Sequence, residues 1–348
     1  MRVAVVGATG NIGTSALDAL VSDERVDSIV GIARRRPALR LPKVEWTEAD
    51  VRSADLTSLF KGADAVVHLA WLIQPSRNEH ETESVNVVGS ERVFGAVADA
   101  GVPRLVYSSS VGAYSPGPKD QLVDESHPTD GVSTSFYSRH KAAVERILDR
   151  FESAAPSVSV TRLRPGLVFK ADAASEIRRL FAGPFLPNAL ITRSLIPIIP
   201  AVRGLRFQAV HSLDVGMAIR QALFSEATGA FNLAADPVLD PERIGTLLAA
   251  RPVTVPRGLL RAFTAATWRM RLQPTPPGWL DLALEVPLMS SERARRELGW
   301  EPRRSADDAL LDLLEGLRRG RGFSTPPLDP RAGGRLRSGE LATGVGAR

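Results

Sequence analysis

The chain has 348 residues, of which 44% are hydrophobic and 24% charged, a composition typical of a globular protein with a large core. It has no cysteine and only five histidines, which excludes disulfides, thiolate metal sites and a cysteine nucleophile. No histidines have metal-ligand spacing, so we expect no metal. Residues 318–348 contain seven arginines and two acidic residues, Asp329 and Glu340, and so have a net charge of +5. The whole chain also has a net charge of +5, so residues 1–317 are neutral overall. We therefore expect no nucleic-acid partner.

The N-terminus opens directly into "RVAVVG", without the basic and apolar regions of a signal peptide. No window holds the ~18 uninterrupted apolar residues of a membrane helix. We therefore expect a cytoplasmic location and no membrane partner.

The first 165 residues alternate between strand-length apolar runs and amphipathic helical patterns. The predicted strands are "RVAVVG", "SIVGIA", "VEWTEAD", "DAVVHLA", "RLVYSSS" and "VSVTRLRP", and the clearest helices are "NIGTSALDALVS", "SVNVVGSERVFGAVADAG" and "SRHKAAVERILDRF". This alternation predicts an α/β fold of the Rossmann type, with a doubly wound parallel sheet covered by helices on both faces.

The pattern changes after residue 165. We predict a dinucleotide-binding domain over 1–165, which also receives elements near 205–236, and a smaller, partly interleaved substrate domain over 166–317. "AFNLAAD" predicts one more strand, and "SLDVGMAIRQALF" and "ADDALLDLLEGLRR" predict helices. The Gly-, Pro- and Arg-rich residues 318–348 predict a disordered basic tail.

A glycine loop follows the first strand. "VAVVGATGNIG" places Gly7, Gly10 and Gly13 between that strand and the first helix. Glycines there let backbone amides approach a pyrophosphate in the positive field of the helix N-terminus. The sequence therefore predicts a dinucleotide cofactor.

The end of the second strand bears on the choice of cofactor. An NAD site commonly has an acidic residue about 20 residues after the glycine loop. Here Ala33 is followed by Arg34, Arg35 and Arg36. Guanidinium groups suit a 2′-phosphate, so we predict NADP as the preferred cofactor, with NAD possible.

Tyr137 and Lys141 stand four residues apart on a predicted helix, although the chain has only three tyrosines and five lysines. Residues so spaced share one helix face. We expect the ammonium to lower the pKa of the phenol, which makes Tyr137 an acid/base near neutral pH.

Together these motifs resemble the extended short-chain dehydrogenase/reductases, within the NAD-dependent epimerase/dehydratase superfamily, over roughly residues 1–315. The motifs that carry the resemblance are "GATGNIG", "ADV" with Asp50, "HLA" at 68–70, "SVNVVGS" with Asn86, "SSSVGAY", the Tyr137–Lys141 pair, "RPGLV", "VHSLDVG" and "LGWEP".

The resemblance implies roles for named residues. Tyr137 would be the general acid/base, Ser110 would bond the same substrate oxygen, and Lys141 would hold the nicotinamide ribose. The cofactor site it implies is formed by Gly7, Thr9, Gly10, Asn11, Ile12, Gly13, Arg34, Arg35, Asp50, Val51, Leu69, Ala70, Ser108, Tyr137, Lys141, Pro165 and Val168. Family members often dimerise through the helices near 82–100 and 135–152, so a homodimer is possible.

The resemblance is weaker for a sugar-nucleotide substrate. Such enzymes commonly have Asn where this chain has Pro165, and Arg where it has Phe207. We therefore expect an NAD(P)-dependent oxidoreductase acting on a hydroxyl or ketone substrate, with the apolar segment 178–207 as a possible pocket wall. An epimerase or dehydratase is the enzyme alternative, and a non-catalytic dinucleotide-sensing regulator is the second.

Overall fold

The computed structural model describes residues 1–183 and 197–332. Its strands are β1 Arg2–Val6, β2 Ser28–Ala33, β3 Val44–Glu48, β4 Ala65–His68, β5 Arg104–Ser108, β6 Leu122–Val123, β7 Ser159–Pro165, β8 Leu167–Phe169, β9 Ile198–Ala201, β10 Phe207–His211, β11 Gly229–Leu233, β12 Ala235–Leu239, β13 Arg251–Thr254 and β14 Leu288–Met289. Its helices are α1 Asn11–Val21, α2 Leu56–Phe60, α3 Glu79–Glu83, α4 Gly89–Asp99, α5 Phe136–Ala154, α6 Ala174–Ile177, α7 Ser212–Phe224, α8 Pro241–Leu248, α9 Arg257–Arg269, α10 Gly278–Glu285, α11 Glu292–Leu298 and α12 Ala306–Arg319.

Seven of the described strands form one parallel sheet in the order β11-β7-β5-β4-β1-β2-β3. Successive strands run outward in one direction from β1 and in the other from β4. The sheet therefore has a switch point between β1 and β4, where doubly wound folds bind their ligands at the carboxyl ends of the strands. The predicted Rossmann-type sheet is confirmed.

The sheet has an apolar core on each face, as its apolar strands require. On one face α1 and α7 pack together around Leu17, Leu20 and Ile219. On the other face lie α4 and α5, with Phe94 and Leu148 in the core. Both faces of the sheet are thus covered by helices.

Three smaller sheets stand beside the main one. Strands β12, β10 and β8 form a three-stranded sheet, while β13 pairs with β9 and β14 with β6. The chain passes from β10 through α7 into β11, which returns to the edge of the main sheet beside β7.

Part of the expected tail is ordered. Helix α12 continues to Arg319, Leu328 is fully buried, and the Thr325 hydroxyl donates a hydrogen bond to the Thr9 carbonyl oxygen at 2.8 Å. The prediction of disorder is therefore wrong for residues 318–332. The burial of Leu328 and hydrogen bonds to backbone groups hold this segment in place although its composition is polar. Residues 333–348 lie outside the described ranges.

No helix in the described ranges is long and apolar enough to cross a bilayer. Those ranges also contain no group of three or more His, Cys, Asp or Glu side chains placed to hold a metal.

Candidate active site at the carboxyl ends of the strands

The glycine loop is packed too closely for side chains. Gly7 has φ +85°, and a Cβ atom there would lie 2.5 Å from the amide nitrogen of Ala70. A Cβ on Gly13 would lie 2.3 Å from the Gly7 carbonyl oxygen. Helix α1 begins beyond Gly10 without a side-chain cap, so its first amides can serve an anion. This cradle fits a dinucleotide pyrophosphate.

Asn11 joins this loop to the end of strand β8. Its side-chain amide donates a hydrogen bond to the Val168 carbonyl oxygen at 3.0 Å. Its own carbonyl oxygen accepts from the Lys170 ammonium at 2.9 Å and from the Ser212 hydroxyl at 3.0 Å. The predicted cofactor residues Asn11 and Val168 are therefore in direct contact, although 157 residues separate them.

The predicted ribose and adenine residues lie at the carboxyl ends of β2 and β3. The side chains of Arg34 and Arg35 are exposed after β2. The Asp50 carboxylate accepts bidentate bonds from Arg52, which hold its pKa below the ordinary value, and Arg34 adds to this effect. Val51 packs against Gly89, where a Cβ would lie 2.6 Å from its Cγ2 atom.

The predicted catalytic residues meet beyond strand β5. Ser110 is buried, and its hydroxyl accepts a hydrogen bond from the Gly112 amide at 3.0 Å. The Tyr137 ring packs on Gly112, where a Cβ would lie 2.7 Å from Cε1 of the ring. Glycine at 112 therefore makes room for the tyrosine.

Lys141 lies one helical turn after Tyr137 and is also buried. Its ammonium donates to the Ser108 carbonyl oxygen at 2.8 Å and to the Tyr107 hydroxyl at 3.3 Å. It also sits 3.5 Å from the centroid of the Trp71 ring, a cation–π contact. The lysine is thus fastened to the end of β5.

The electrostatics of the pair differ from the sequence prediction. Burial raises the pKa of Tyr137 to about 12, and the hydrogen bond with Ser110 opposes this only in part. Burial also lowers the pKa of Lys141 well below its ordinary value, which the charge of Glu145 opposes. The expected lowering of the tyrosine pKa by Lys141 is wrong for this protein without cofactor, because removal of water from the phenol dominates.

An aromatic wall surrounds the Tyr137 ring. We use this name for Trp71, Trp279 and Phe181. The Trp279 ring lies 4.8 Å from that of Tyr137, and the Trp71 ring meets Tyr137 edge-on at 5.8 Å. Phe181 packs edge-on against Trp279 at 4.9 Å. Asn86 fixes the loop carrying Trp71, since its side chain bonds both the amide and the carbonyl of Leu72.

The sequence analysis missed a buried ion cluster beneath the site. Glu145 is completely buried one turn beyond Lys141, and its carboxylate accepts two bonds from Arg164 at 3.0 Å and one from Arg162 at 2.9 Å. It also accepts from the Ser109 hydroxyl at 2.5 Å. The spacing of Tyr137, Lys141 and Glu145 places them on one helix face, but it does not show that arginines of β7 pair with Glu145.

The segment proposed as a pocket wall is described only in part, since residues 184–196 lie outside the described ranges. In the described part, Arg206 donates to the Lys119 carbonyl oxygen at 2.6 Å, and Lys119 donates to that of Arg206 at 2.9 Å. The side chains of Lys119 and Arg206 therefore donate hydrogen bonds to each other's backbone carbonyl oxygens and link the loops in which they lie.

A cleft of about 570 Å³ lies elsewhere, between α1, α7 and α12. Its charged side chains pair with one another, as in the His211–Asp312 contact at 3.2 Å and the Arg321–Asp172 pair at 2.7 Å. None of the predicted catalytic residues lines it, so we assign the chemistry to the strand ends.

Comparison with known proteins shows the family to which the chain belongs. A model of the NAD dependent epimerase/dehydratase family matches residues 3–182. An uncharacterized protein of Mycobacterium tuberculosis is 28% identical over 321 residues, which are 91% of this chain but only 30% of that protein. A Stigmatella aurantiaca protein named 4-hydroxy-2-methyl-3-oxo-4-farnesyl-3,4-dihydroquinoline-1-oxide ketoreductase is 27% identical over 176 residues, 49% of this chain and 52% of its own length.

Among solved structures, the UDP-glucose 4-epimerase of Thermus thermophilus in complex with NAD has a TM-score of 0.67. The two sequences are 20% identical, and the match covers 91% of this chain and 99% of the epimerase. At this identity the likeness concerns the fold.

Proposed function

Because the chain belongs to the NAD-dependent epimerase/dehydratase family, we propose that it is an NAD(P)-dependent oxidoreductase that moves hydride between a nicotinamide and a hydroxyl or ketone substrate. The observation that carries this proposal is that the Tyr137 ring and the Ser110 hydroxyl both lie against Gly112, at the carboxyl edge of the sheet. Lys141 lies one turn further along, and the glycine cradle opens at the same edge. A regulator that only senses a dinucleotide has no need of this constellation.

Each residue has a chemical part in the reaction. The nicotinamide supplies or accepts the hydride. Ser110 bonds the substrate oxygen, and the Tyr137 hydroxyl gives that oxygen a proton during reduction or removes one during oxidation. Since the pKa of Tyr137 is about 12, the phenol is protonated at neutral pH.

We propose NADP as the preferred cofactor. Arg34 and Arg35 are exposed at the carboxyl end of β2, where the strand order places the adenosine half of a dinucleotide. Ala33 at the same end offers no carboxylate for a ribose hydroxyl.

NADPH and NADH affinities of the wild type and an Arg34→Ser/Arg35→Ser variant test this choice. The double variant should lose roughly tenfold or more in NADPH affinity and little in NADH affinity, since charge-assisted bonds to the phosphate are removed. Arg40→Ser, an exposed arginine nearby, is the control. A wild type that prefers NADH would refute the choice.

The aromatic wall supports an apolar substrate. Trp71 and Trp279 both contact the Tyr137 ring, so a carbonyl that reaches the phenol meets a largely aromatic surface. Pro165 is buried at the end of β7, in place of the amide side chain common in sugar-nucleotide enzymes. The ketone substrate in the name of the Stigmatella relative is in keeping with this choice.

An epimerase or dehydratase is the alternative, favoured by the fold it shares with the Thermus epimerase. In such an enzyme, hydride leaves and returns to the same substrate. The state of the purified protein discriminates the two classes: readily exchanged NADP indicates an oxidoreductase, and tightly held, non-exchanging NAD indicates an epimerase. A homodimer through α4 and α5 is compatible with either.

A further inference from the structure

Helix α9 has an unusual polarity, because it buries none of its residues and turns its apolar side to solvent. Leu259 and Phe263 are each 64% exposed and Met270 is 61% exposed. Their spacing places them on one helix face. Leu272, just after the helix, is 47% exposed. We call these four residues the outer face of α9.

The opposite side of α9 is held by charged groups. Arg261 donates to both carboxylate oxygens of Asp281 at 3.0 Å, and Asp281 is only 2% exposed. Arg257 bonds the same aspartate at 3.4 Å and also pairs with Glu285. Arg77 stacks on Trp268 with its guanidinium 4.4 Å from the ring. The orientation of the helix is thus set by these contacts, which leave the apolar side outward.

The surroundings of the outer face are cationic. From Arg243 to Leu280 the sequence contains six arginines and no Asp or Glu. Arg269 and Arg271, which adjoin Met270 and Leu272 in the chain, are exposed, and no carboxylate of the described residues is paired with them. An apolar stripe flanked by cations fits an anionic lipid surface, into which a helix of this kind inserts its apolar side.

A second copy of the chain fits less well. A two-fold interface brings the same patch of both copies together. A two-fold interface through the outer face would place Arg269 and Arg271 near the same arginines of the second copy. Residues 243–280 contain no Asp or Glu that could neutralise them. The charge therefore favours a partner that is itself negative.

We propose that α9 docks the protein on membranes rich in anionic phospholipid. This revises the sequence expectation of no membrane partner, which considered only spanning segments. Helix α9 leads through a short loop to α10, whose Trp279 covers Tyr137. Docking therefore brings the Tyr137 site close to the bilayer, where an apolar substrate is concentrated. The docking itself does not depend on the reaction at Tyr137.

Vesicle flotation of the full chain tests the proposal. The protein should float with vesicles of equal parts phosphatidylcholine and phosphatidylglycerol, and not with phosphatidylcholine alone. Leu259→Ser/Phe263→Ser/Met270→Ser should reduce binding at least about tenfold, since the apolar insertion is lost. Arg269→Ser/Arg271→Ser should reduce it roughly fivefold per arginine.

The matched control is Val88→Ser/Leu122→Ser, which removes two exposed apolar side chains elsewhere, 49% and 55% exposed, and should bind as the wild type does. Unchanged melting temperatures establish that the variants are folded. Equal binding by the triple-serine variant overturns the proposal. A wild-type protein that does not float with the vesicles also overturns it. A third contradicting result is a wild-type dimer, detected by sedimentation, that does not bind vesicles and that the triple-serine variant no longer forms.

Discussion

At the scale of single residues, burial governs the behaviour of the phenol more than its charged neighbour does. Lys141 is one turn from Tyr137, but its ammonium donates hydrogen bonds to the Ser108 carbonyl and the Tyr107 hydroxyl and contacts the Trp71 ring. The phenol meanwhile lies against indole rings with one hydroxyl partner. Tyr137 is therefore a weaker acid than an exposed phenol.

The three tyrosines of the chain allow a direct titration. Burial raises the pKa of Tyr107 well above 10.0 and those of Tyr114 and Tyr137 to about 12, from an ordinary value of 10.0. Phenolate absorbance of the native, cofactor-free protein should thus stay low at pH 10, while unfolded protein titrates there. Because the pKa values of the tyrosines are raised in the folded state, their contribution to the unfolding free energy is complete below pH 10. It is lost as the pH rises toward 12. A phenolate signal near pH 10 from the folded protein would contradict the burial.

The sequence predicted some single residues of the site better than others. The spacing of Tyr137 and Lys141 predicted their shared face, whereas Ser110 was named only through the family resemblance. Nothing local showed that Trp71 and Trp279, from distant parts of the chain, close around one ring. Such contacts depend on tertiary packing, which periodicity does not encode.

At the scale of elements, the tyrosine depends on the short turn after β5. Gly112 lies in that turn, and alanine there would place its Cβ 2.7 Å from the Tyr137 ring. We expect Gly112→Ala to shift the ring and lower kcat on the order of a hundredfold, as a displacement near 1 Å does. The measurement is steady-state turnover beside cofactor affinity, which should change little.

Gly95→Ala is the matched control for that substitution. Gly95 lies within α4, and a Cβ atom added there would have no neighbouring atom within 4 Å. Alanine there should leave turnover unchanged and add about 0.5–1 kcal/mol to the unfolding free energy. Equal turnover losses in both variants would show that the effect at Gly112 is not specific to the ring.

Helix α5 is joined to strand β7 by the ion cluster around Glu145. Burial by itself raises the pKa of Glu145, but Arg164, Arg162 and Ser109 outweigh it and lower that pKa to about 2. Glu145→Ala leaves the buried Arg164 guanidinium without a carboxylate partner and should cost about 3–5 kcal/mol of unfolding free energy. Glu152→Ala, which removes a half-exposed partner of Arg162, should cost far less.

The same cluster predicts the acid sensitivity of the fold. Because the folded-state pKa of Glu145 is lowered, its stabilisation is complete above pH 4.5 and is lost as the pH falls toward 2. Denaturant unfolding across this range should show the loss in the wild type and a flatter profile in Glu145→Gln. A parallel decline in both proteins would show that Glu145 does not contribute.

This cluster marks a limit of sequence interpretation for elements. Strands and helices of the sheet were predictable because each carries its own periodicity and ends in its own turn signals. Glu145 resembles an exposed residue of an amphipathic helix until β7 places Arg162 and Arg164 beneath it. The polarity of α9 was hidden for the same reason, since the burial of Asp281 decides which side of that helix faces inward.

At the scale of the whole molecule, the carboxyl ends of four parallel strands bring the site together. The Gly7 loop follows β1, Ala70 follows β4, Ser110 follows β5, and Pro165 ends β7. This convergence follows from the topology alone, which is why motifs scattered over 165 residues predicted one site. The substrate was harder to predict, because after residue 165 no regular alternation of strands and helices guides the interpretation.

The most direct measurement of the central claim is turnover of Tyr137→Phe. Apolar ketones are first screened with wild-type protein and NADPH at the nicotinamide absorbance band. With the best substrate, Tyr137→Phe should bind NADPH as the wild type does and lose nearly all turnover, on the order of 10²–10⁴-fold, because the proton donor is gone. Turnover equal to that of the wild type would contradict the account.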